Sequence, residues 1–452
     1  MKPLRCLAVI LWSGATLASA APFRMAFLEE SDLCEARGVR LAAHGFVREA
    51  GRVLLPSDPS RPSLWFAPVA AIPSEEGVRL YYQRIDKTLE PYADQRALCV
   101  GILKPDFEFA LPDLSLYSHS WGGPGNTVLQ RSPHKPTWGG FNVFQILQEG
   151  PVLYRMLYWD QPEQGEAGGM VADSTDGLSW RKRDETRAVF TEHNDAFSLV
   201  YSQELKEYLL YQTFLEDWPD KPVEDNLPKW RRAISIRHSK DLVTWSAQEP
   251  ILVPDAQDAP TCEFYLMKVF PFAGHYLGLL MKYYGDPLNP KKHSALYRYE
   301  LVVSRDGLAW QRPYRETDAG TWTYADPFDY QGKTWVAAYD KAGLCVFPIR
   351  SGGYVSCGAH DAGSFLTHPF TVPSGTLRLN AECQEGSIEI EVVDARGLPL
   401  PGLEGIRAAL SGADGIDLPV AWKGGGSPPP GQEVRLRLTL KNARVYSLHA
   451  GE

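Results

Sequence analysis

Three acidic residues stand where an apolar run begins, at nearly equal intervals along the chain. Asp195 precedes Phe197 to Tyr201, Glu263 opens onto Phe264 to Met267, and Asp326 precedes Pro327 and Phe328. Carboxylates gathered from such positions around one funnel repel as anions, so at least one is expected to have a raised pKa. A neutral carboxylic acid beside an ionised carboxylate is the pair that cleaves a glycosidic bond. An acid ahead of a strand also serves as a turn or capping residue, and it is the joint spacing that carries the chemical reading. Glu263 is the strongest candidate for the proton donor. It lies in Pro260-Thr261-Cys262-Glu263-Phe264-Tyr265, where a charge among apolar residues is costly unless it is paired or used. Asp195 and Asp326 share the remaining roles of nucleophile or base and of orienting the substrate. His193, Asn194 and Trp322 neighbour these acids and, with Arg232 and Asn126, are candidates for binding sugar hydroxyls.

The elements that must position these acids announce themselves through a repeat. Its copies are Ser174-Thr175-Asp176-Gly177-Leu178-Ser179-Trp180, Ser239-Lys240-Asp241-Leu242-Val243-Thr244-Trp245 and Ser304-Arg305-Asp306-Gly307-Leu308-Ala309-Trp310. The step from Asp176 to Asp241 equals the step from Asp241 to Asp306. A fixed period of this size means one supersecondary unit built repeatedly. Ser and Asp side chains bond backbone N–H groups one or two residues on, and Gly accepts a positive φ. Between the turns lie pairs of apolar runs, such as Phe197 to Tyr201 with Tyr208 to Tyr211, and Phe264 to Phe272 with Tyr276 to Met281. Three or four short strands per repeat in meander order predict a propeller blade. Two further units, Leu64 to Leu111 and Trp322 to Arg350, bring the expectation to five blades; the alternative is a sandwich with an accidental repeat. The innermost strand of each blade lines the channel, and the repeated turns mark the outer side.

After residue 351 strict alternation takes over, as in Ser387-Ile388-Glu389-Ile390-Glu391-Val392-Val393 and Glu433 to Leu440, the period of half-buried antiparallel strands. The chain therefore reads as all-β: residues 1–20 a signal peptide, 21–350 a five-bladed β-propeller with an N-terminal segment, and 351–452 a C-terminal β-sandwich. Lys2 and Arg5, an apolar stretch from Leu7 to Leu17 and Ala18-Ser19-Ala20 are the marks of the signal, which implies a secreted or periplasmic protein. The apolar stretch is too short for a membrane span. Net charge is −9 with no basic cluster, which argues against nucleic acid as a partner. Cys34, Cys99, Cys262, Cys345, Cys357 and Cys383 follow the signal; Cys357 with Cys383 is a candidate disulfide. With no C-x-x-C, no H-x-x-x-H and no histidine-rich cluster, neither a metal site nor a cofactor is expected.

Five blades, acids at blade starts and Ser-x-Asp-Leu/Gly-x-x-Trp turns resemble the five-bladed propeller glycoside hydrolases of families 32 and 43, over about residues 60 to 350. Ser239 to Trp245 is similar to the S-x-D-L-x-x-W segment common there, Ala325-Asp326-Pro327 to the Asp-Pro that opens a catalytic strand, and Cys262-Glu263 to a Glu-Cys pair in reversed order. A propeller followed by a sandwich also matches the family 32 plan. The chain departs from the pattern where blades one and two open, at Pro62-Ser63-Leu64-Trp65-Phe66 and Phe141-Asn142-Val143-Phe144-Gln145, neither of which carries an acid. The turns are also similar to the sialidase Asp-box, one residue short in every copy. The resemblance implies a secreted glycoside hydrolase with a carbohydrate substrate. A non-catalytic carbohydrate-binding propeller is the alternative, and a structural or protein-binding propeller the third reading.

Overall fold

The structure, a computed structural model, describes residues 23–46, 51–136, 138–192, 194–223, 225–320, 323–400, 407–423 and 426–450. The expected signal segment lies outside them, as do His193 and Trp322.

Five antiparallel sheets follow one another around a common axis. Their innermost strands are Leu64–Ser74, Asn142–Gln148, Phe197–Ser202, Cys262–Phe272 and Phe328–Tyr330, for blades I to V in order. Each is followed by its hairpin partner and then a third strand, the meander that short alternating runs and tight turns dictate. Blade V is completed from the far end of the chain. Arg52–Pro56 pairs with Gly343–Ile349, setting Leu55 opposite Leu344 and Val53 opposite Cys345. The ring is thus closed by backbone hydrogen bonds between its first and last segments.

The three repeated turns are nearly superimposable in their bonding. Asp176 Oδ1 accepts the N–H groups of Leu178 and Ser179 at 2.7 and 2.8 Å, and Trp180 Nε1 donates to the Gly177 carbonyl at 3.1 Å. Asp241 and Asp306 do the same for Val243 and Thr244, and for Leu308 and Ala309. The fourth residue is left-handed in all three: Gly177 at φ +75°, Leu242 at +66° and Gly307 at +78°. Where glycine sits, a tyrosine hydroxyl from the preceding blade reaches the turn. Tyr81 and Tyr211 each donate to the glycine carbonyl at 2.9 Å. In the middle turn Leu242 is fully buried and packs in one apolar cluster with Leu157 of the preceding blade. Apolar packing therefore takes the place of the hydroxyl, and the burial of Leu242 offsets the roughly 1–2 kcal/mol cost of a left-handed non-glycine residue. These turns are clasps between blades.

The second unit is an 11-stranded antiparallel sheet. Its longest strand, Leu377–Val393, pairs with Ala443–Ala450 along its first part and with Glu433–Lys441 along its second. The sheet closes over a core that includes Phe365, Leu379, Ile390, Leu438 and Val445. Cys357 and Cys383 are both buried in that core as free thiols, so the disulfide considered from sequence is not present. Three strands come from the N-terminal segment: Arg24–Ala26, Cys34–Arg37 and Arg40–Ala43 pair with Ala443–Ala450, Gly363–Leu366 and Val355–Ala359. The segment assigned from sequence to the propeller thus builds both units. Local alternation in residues 24–43 is too brief to announce partners in the last quarter of the chain.

Candidate functional site

Asp195, Glu263 and Asp326 stand where the innermost strands of blades III, IV and V begin, and the strand of blade II supplies a frame for two of them. In Asn142–Gln148, Val143 pairs with Tyr158 and Gln145 with Leu157, leaving Phe144 as the extra residue of a bulge. The bulge brings Asn142 and Gln145 to the same face, two ladder steps or roughly 7 Å apart. Each amide holds one acid from another blade. Asn142 Nδ2 donates to Asp195 Oδ2 at 2.6 Å, and the Gly140 N–H joins it at 3.0 Å. Gln145 Nε2 donates to Asp326 Oδ2 at 3.1 Å. Arg96 fixes the first amide by donating to Asn142 Oδ1 and the Phe141 carbonyl, both at 2.7 Å.

Asp326 has a second partner. Lys268, buried in the middle of the blade IV strand, lies 2.8 Å from its Oδ1 and also donates to Gln145 Oε1. Burial holds the Lys268 ammonium below its usual range while Asp326 works in the other direction. The Asp326 side chain is 40% exposed. Asp195 is half-buried, and among the described residues no hydrogen bond or ion pair is made to its Oδ1.

Glu263 is placed differently. It is 1% exposed and forms the centre of a buried ion cluster. Oε1 lies 2.8 Å from Lys221 Nζ; Oε2 accepts from Arg232 Nη1 at 2.7 Å and from the Arg232 backbone N–H at 3.1 Å. Asp225 bonds the same two cations, both at 3.0 Å, and accepts from Tyr283 at 2.7 Å. Burial opposes the charge on Asp225, but Arg232, Tyr283 and Lys221 hold its carboxyl well below the usual carboxylate range. The Arg232 guanidinium lies 4.7 Å from the Tyr283 ring centre and 5.4 Å from that of Tyr265. Two cations and two anions neutralise one another out of water, the condition under which buried charge is tolerated. Both oxygens of Glu263 are thus engaged by donors inside the cluster.

The three acids expected to converge therefore separate into an amide-held pair, Asp195 and Asp326, and a locked third, Glu263. The expected sugar contacts fare similarly. Arg232 is spent on Glu263, Asp225 and Asn226. Asn126 is buried within blade I, where its amide donates to Tyr82 Oη and the Val100 carbonyl, both at 2.8 Å. Asn194 Oδ1 accepts from the Ala196 N–H at 3.0 Å, a cap for the strand that follows.

Several residues of the site were not singled out from the sequence. Tyr265 has Lys292 Nζ 4.9 Å from its ring centre, and burial, with Asp195 adding to it, pushes its hydroxyl up to about 12. Lys292 is held below the usual ammonium range by burial, with Arg232 and Arg96 adding repulsion against attraction from Asp195 and Asp225. Lys268 and Gln145 had a sequence signal: each is a polar residue inside an apolar run, the same criterion that marked Glu263. Asp160, at the end of the second blade II strand, is a further buried carboxyl. Burial pushes it up to about 6, against hydrogen bonds from the Ser132 and Gln161 N–H groups.

No family model matches the chain, and no curated protein matches it in sequence. Among solved structures it is similar to a chain described as a glycoside hydrolase (TM-score 0.43, 10% identity, 71% of this chain and 92% of that one). It is also similar to the Bombyx mori GH32 beta-fructofuranosidase BmSUC1 (TM-score 0.42, 11% identity, 89% and 94%). A thermostable family-43 glycoside hydrolase is a further similar structure (TM-score 0.38, 13% identity, 70% and 87%).

Proposed function

We propose that the channel binds carbohydrate and that Asp195 and Asp326 cleave a glycosidic bond there, with Glu263 as a positioning residue. The observation that carries this is the pair of channel-facing amides in blade II, each holding one of two carboxylates that reach solvent. The amides stand roughly 7 Å apart, a frame of the size that separates acid pairs in glycosidases. Lys268 Nζ, 2.8 Å from Asp326 Oδ1, holds that carboxyl in place, and Asp326 takes the role of base or nucleophile. Among the described residues nothing bonds Asp195 Oδ1, and Asp195 takes the role of proton donor. Glu263 would act through Arg232, whose guanidinium backs Tyr265 on the channel side. No helix among the described residues is long and apolar enough to cross a membrane, and the N-terminal segment supports export.

Saccharide binding without cleavage is the second reading. It is favoured by the locked geometry of Glu263 and by the absence of an acid where blades I and II open. Release of reducing sugar from a broad glycan panel, measured beside binding by calorimetry, separates the two. For cleavage, Asp195→Asn and Asp326→Asn each lose at least about 10²-fold in rate while binding persists and the fold holds. Binding by the wild type with no release establishes the second reading, and a panel with neither sinks both.

A further inference from the structure

A cavity of about 520 Å³ is lined by blade III residues together with Trp138 and Glu192, and neither Asp195 nor Asp326 is among them. Its apolar wall is built by Trp138, Trp230 and Phe214, with Glu192, Asn226 and Gln248 at its polar edge. Trp138 and Trp230 are 37% and 43% exposed, unusual for a side chain that gains so much from burial. The size and the mix of aromatic wall with a few polar groups are those of a small-molecule site.

Its polar atoms are selectively pre-committed. Asn226 Oδ1 accepts from Arg232 at 3.0 Å, which leaves the Asn226 amide N–H₂ to donate. Gln248 Nε2 donates to Ser235 Oγ at 2.7 Å, which leaves Gln248 Oε1 to accept. Glu192 pairs through one oxygen with Arg237 at 2.9 Å, and its side chain is 52% exposed. A ligand here meets aromatic faces together with one donor amide and two acceptors. Sugar rings answer both demands, with C–H faces for the indoles and hydroxyls that donate and accept. The carboxylate disfavours an anionic group at this edge.

The walls also tie the cavity to the proposed reaction centre at two places. Trp138 lies just before Gly140, whose N–H holds Asp195, and Glu192 lies just before Asp195 itself. At the other edge, Asn226 is bonded to Arg232, the partner of Glu263. We infer that this cavity is a second saccharide subsite, so that the substrate is an oligosaccharide with one ring in the channel and a neighbouring neutral ring against Trp138 and Trp230. The inference rests on the carbohydrate reading of the channel.

Tryptophan fluorescence titrations with neutral gluco-, manno-, galacto-, xylo- and fructo-oligosaccharides of one to five units test it. Affinity is expected to rise at least tenfold from one unit to longer chains for one series. Trp230→Ala removes that increment, and Trp230→Phe restores most of it. Trp230 is exposed enough for both variants to fold, which a melting curve checks. Length-independent affinity, the same increment in Trp230→Ala, or no Trp230-dependent quench in any series overturns the subsite. Glycan release by wild type and Asp195→Asn, run alongside, keeps the two readings apart. Release that Asp195→Asn abolishes, with a length increment untouched in Trp230→Ala, defeats only the subsite. A Trp230-dependent length increment without release by the wild type defeats only the cleavage.

Discussion

Replacing Glu263 by Gln decides whether that residue works on substrate or on the scaffold. The substitution removes one of two anions that face Lys221 and Arg232 in a cluster whose side chains are at most 3% exposed. Breaking a buried pair by deleting one partner costs about 3–5 kcal/mol, because a charge is left unpaired. Gln retains an acceptor for Arg232, which places the expected loss near the lower end, about 3 kcal/mol. At about 2–4 °C per kcal/mol in a domain of 150–250 residues, and less in a longer one, Tm should fall by several degrees. Glu263→Gln combined with Lys221→Gln restores neutrality and should cost less than the two single changes added, by at least about 1 kcal/mol. Thermal and denaturant unfolding of the four proteins measures this directly. The refuting result is a Glu263→Gln protein that cleaves no glycan yet stays within about 0.5 kcal/mol of wild type, the range of an inconsequential surface change. That outcome restores Glu263 as the acid.

Other perturbations follow from groups already placed. Asp160 is raised from 3.8 to about 6 in the folded state, so the folded chain binds the extra proton and stability falls as pH rises from about 4 to 6. Relative to Asp160→Asn, wild type should lose about 3 kcal/mol across that window and then level off; a flat difference from pH 4 to 7 contradicts the assignment. His275 is raised, burial being outweighed by Asp32 at 3.2 Å. Its contribution is complete below about pH 6.5 and lost as pH rises through the folded value, so the destabilisation by His275→Gln at pH 5.5 should shrink at pH 9. Gly177→Ala puts a Cβ 2.6 Å from Tyr81 Oη at φ +75°, and urea unfolding should show a loss of roughly 1–3 kcal/mol.

The blades were legible because their signals are local. Ser, Asp and Trp within one short turn write the motif, and its constant period counts the units. Measuring by that period also found all three acids. What it could not convey was partnership. Lys221 and Asp225 lie in the segment joining two strands of blade III, with nothing in their neighbours to say that they enclose Glu263. The holding of Asp195 by Asn142 and of Asp326 by Gln145 goes with one bulge at Phe144, which turns the two amides to the same face. A bulge leaves no residue signature in Asn142-Val143-Phe144-Gln145. Leu242 shows the converse: glycines fill its place in the sister turns, but its burial in an apolar cluster shared with the neighbouring blade leaves no local mark.

The strands between Arg24 and Ala43, and Arg52–Pro56 after them, have a consequence for how the chain reaches its native state. Every segment between them and residue 343 can acquire local hairpins as it emerges, but these early strands have no edge to dock on until the last third of the chain exists. Synthesis from the N-terminus therefore leaves these strands waiting for residues beyond 343, with unpaired backbone groups that invite wrong partners. A chain truncated near residue 340 would hold four blades' worth of sequence and an unclosed ring. In this protein the strands from residue 343 onward are what give those between Arg24 and Pro56 an edge to fold on.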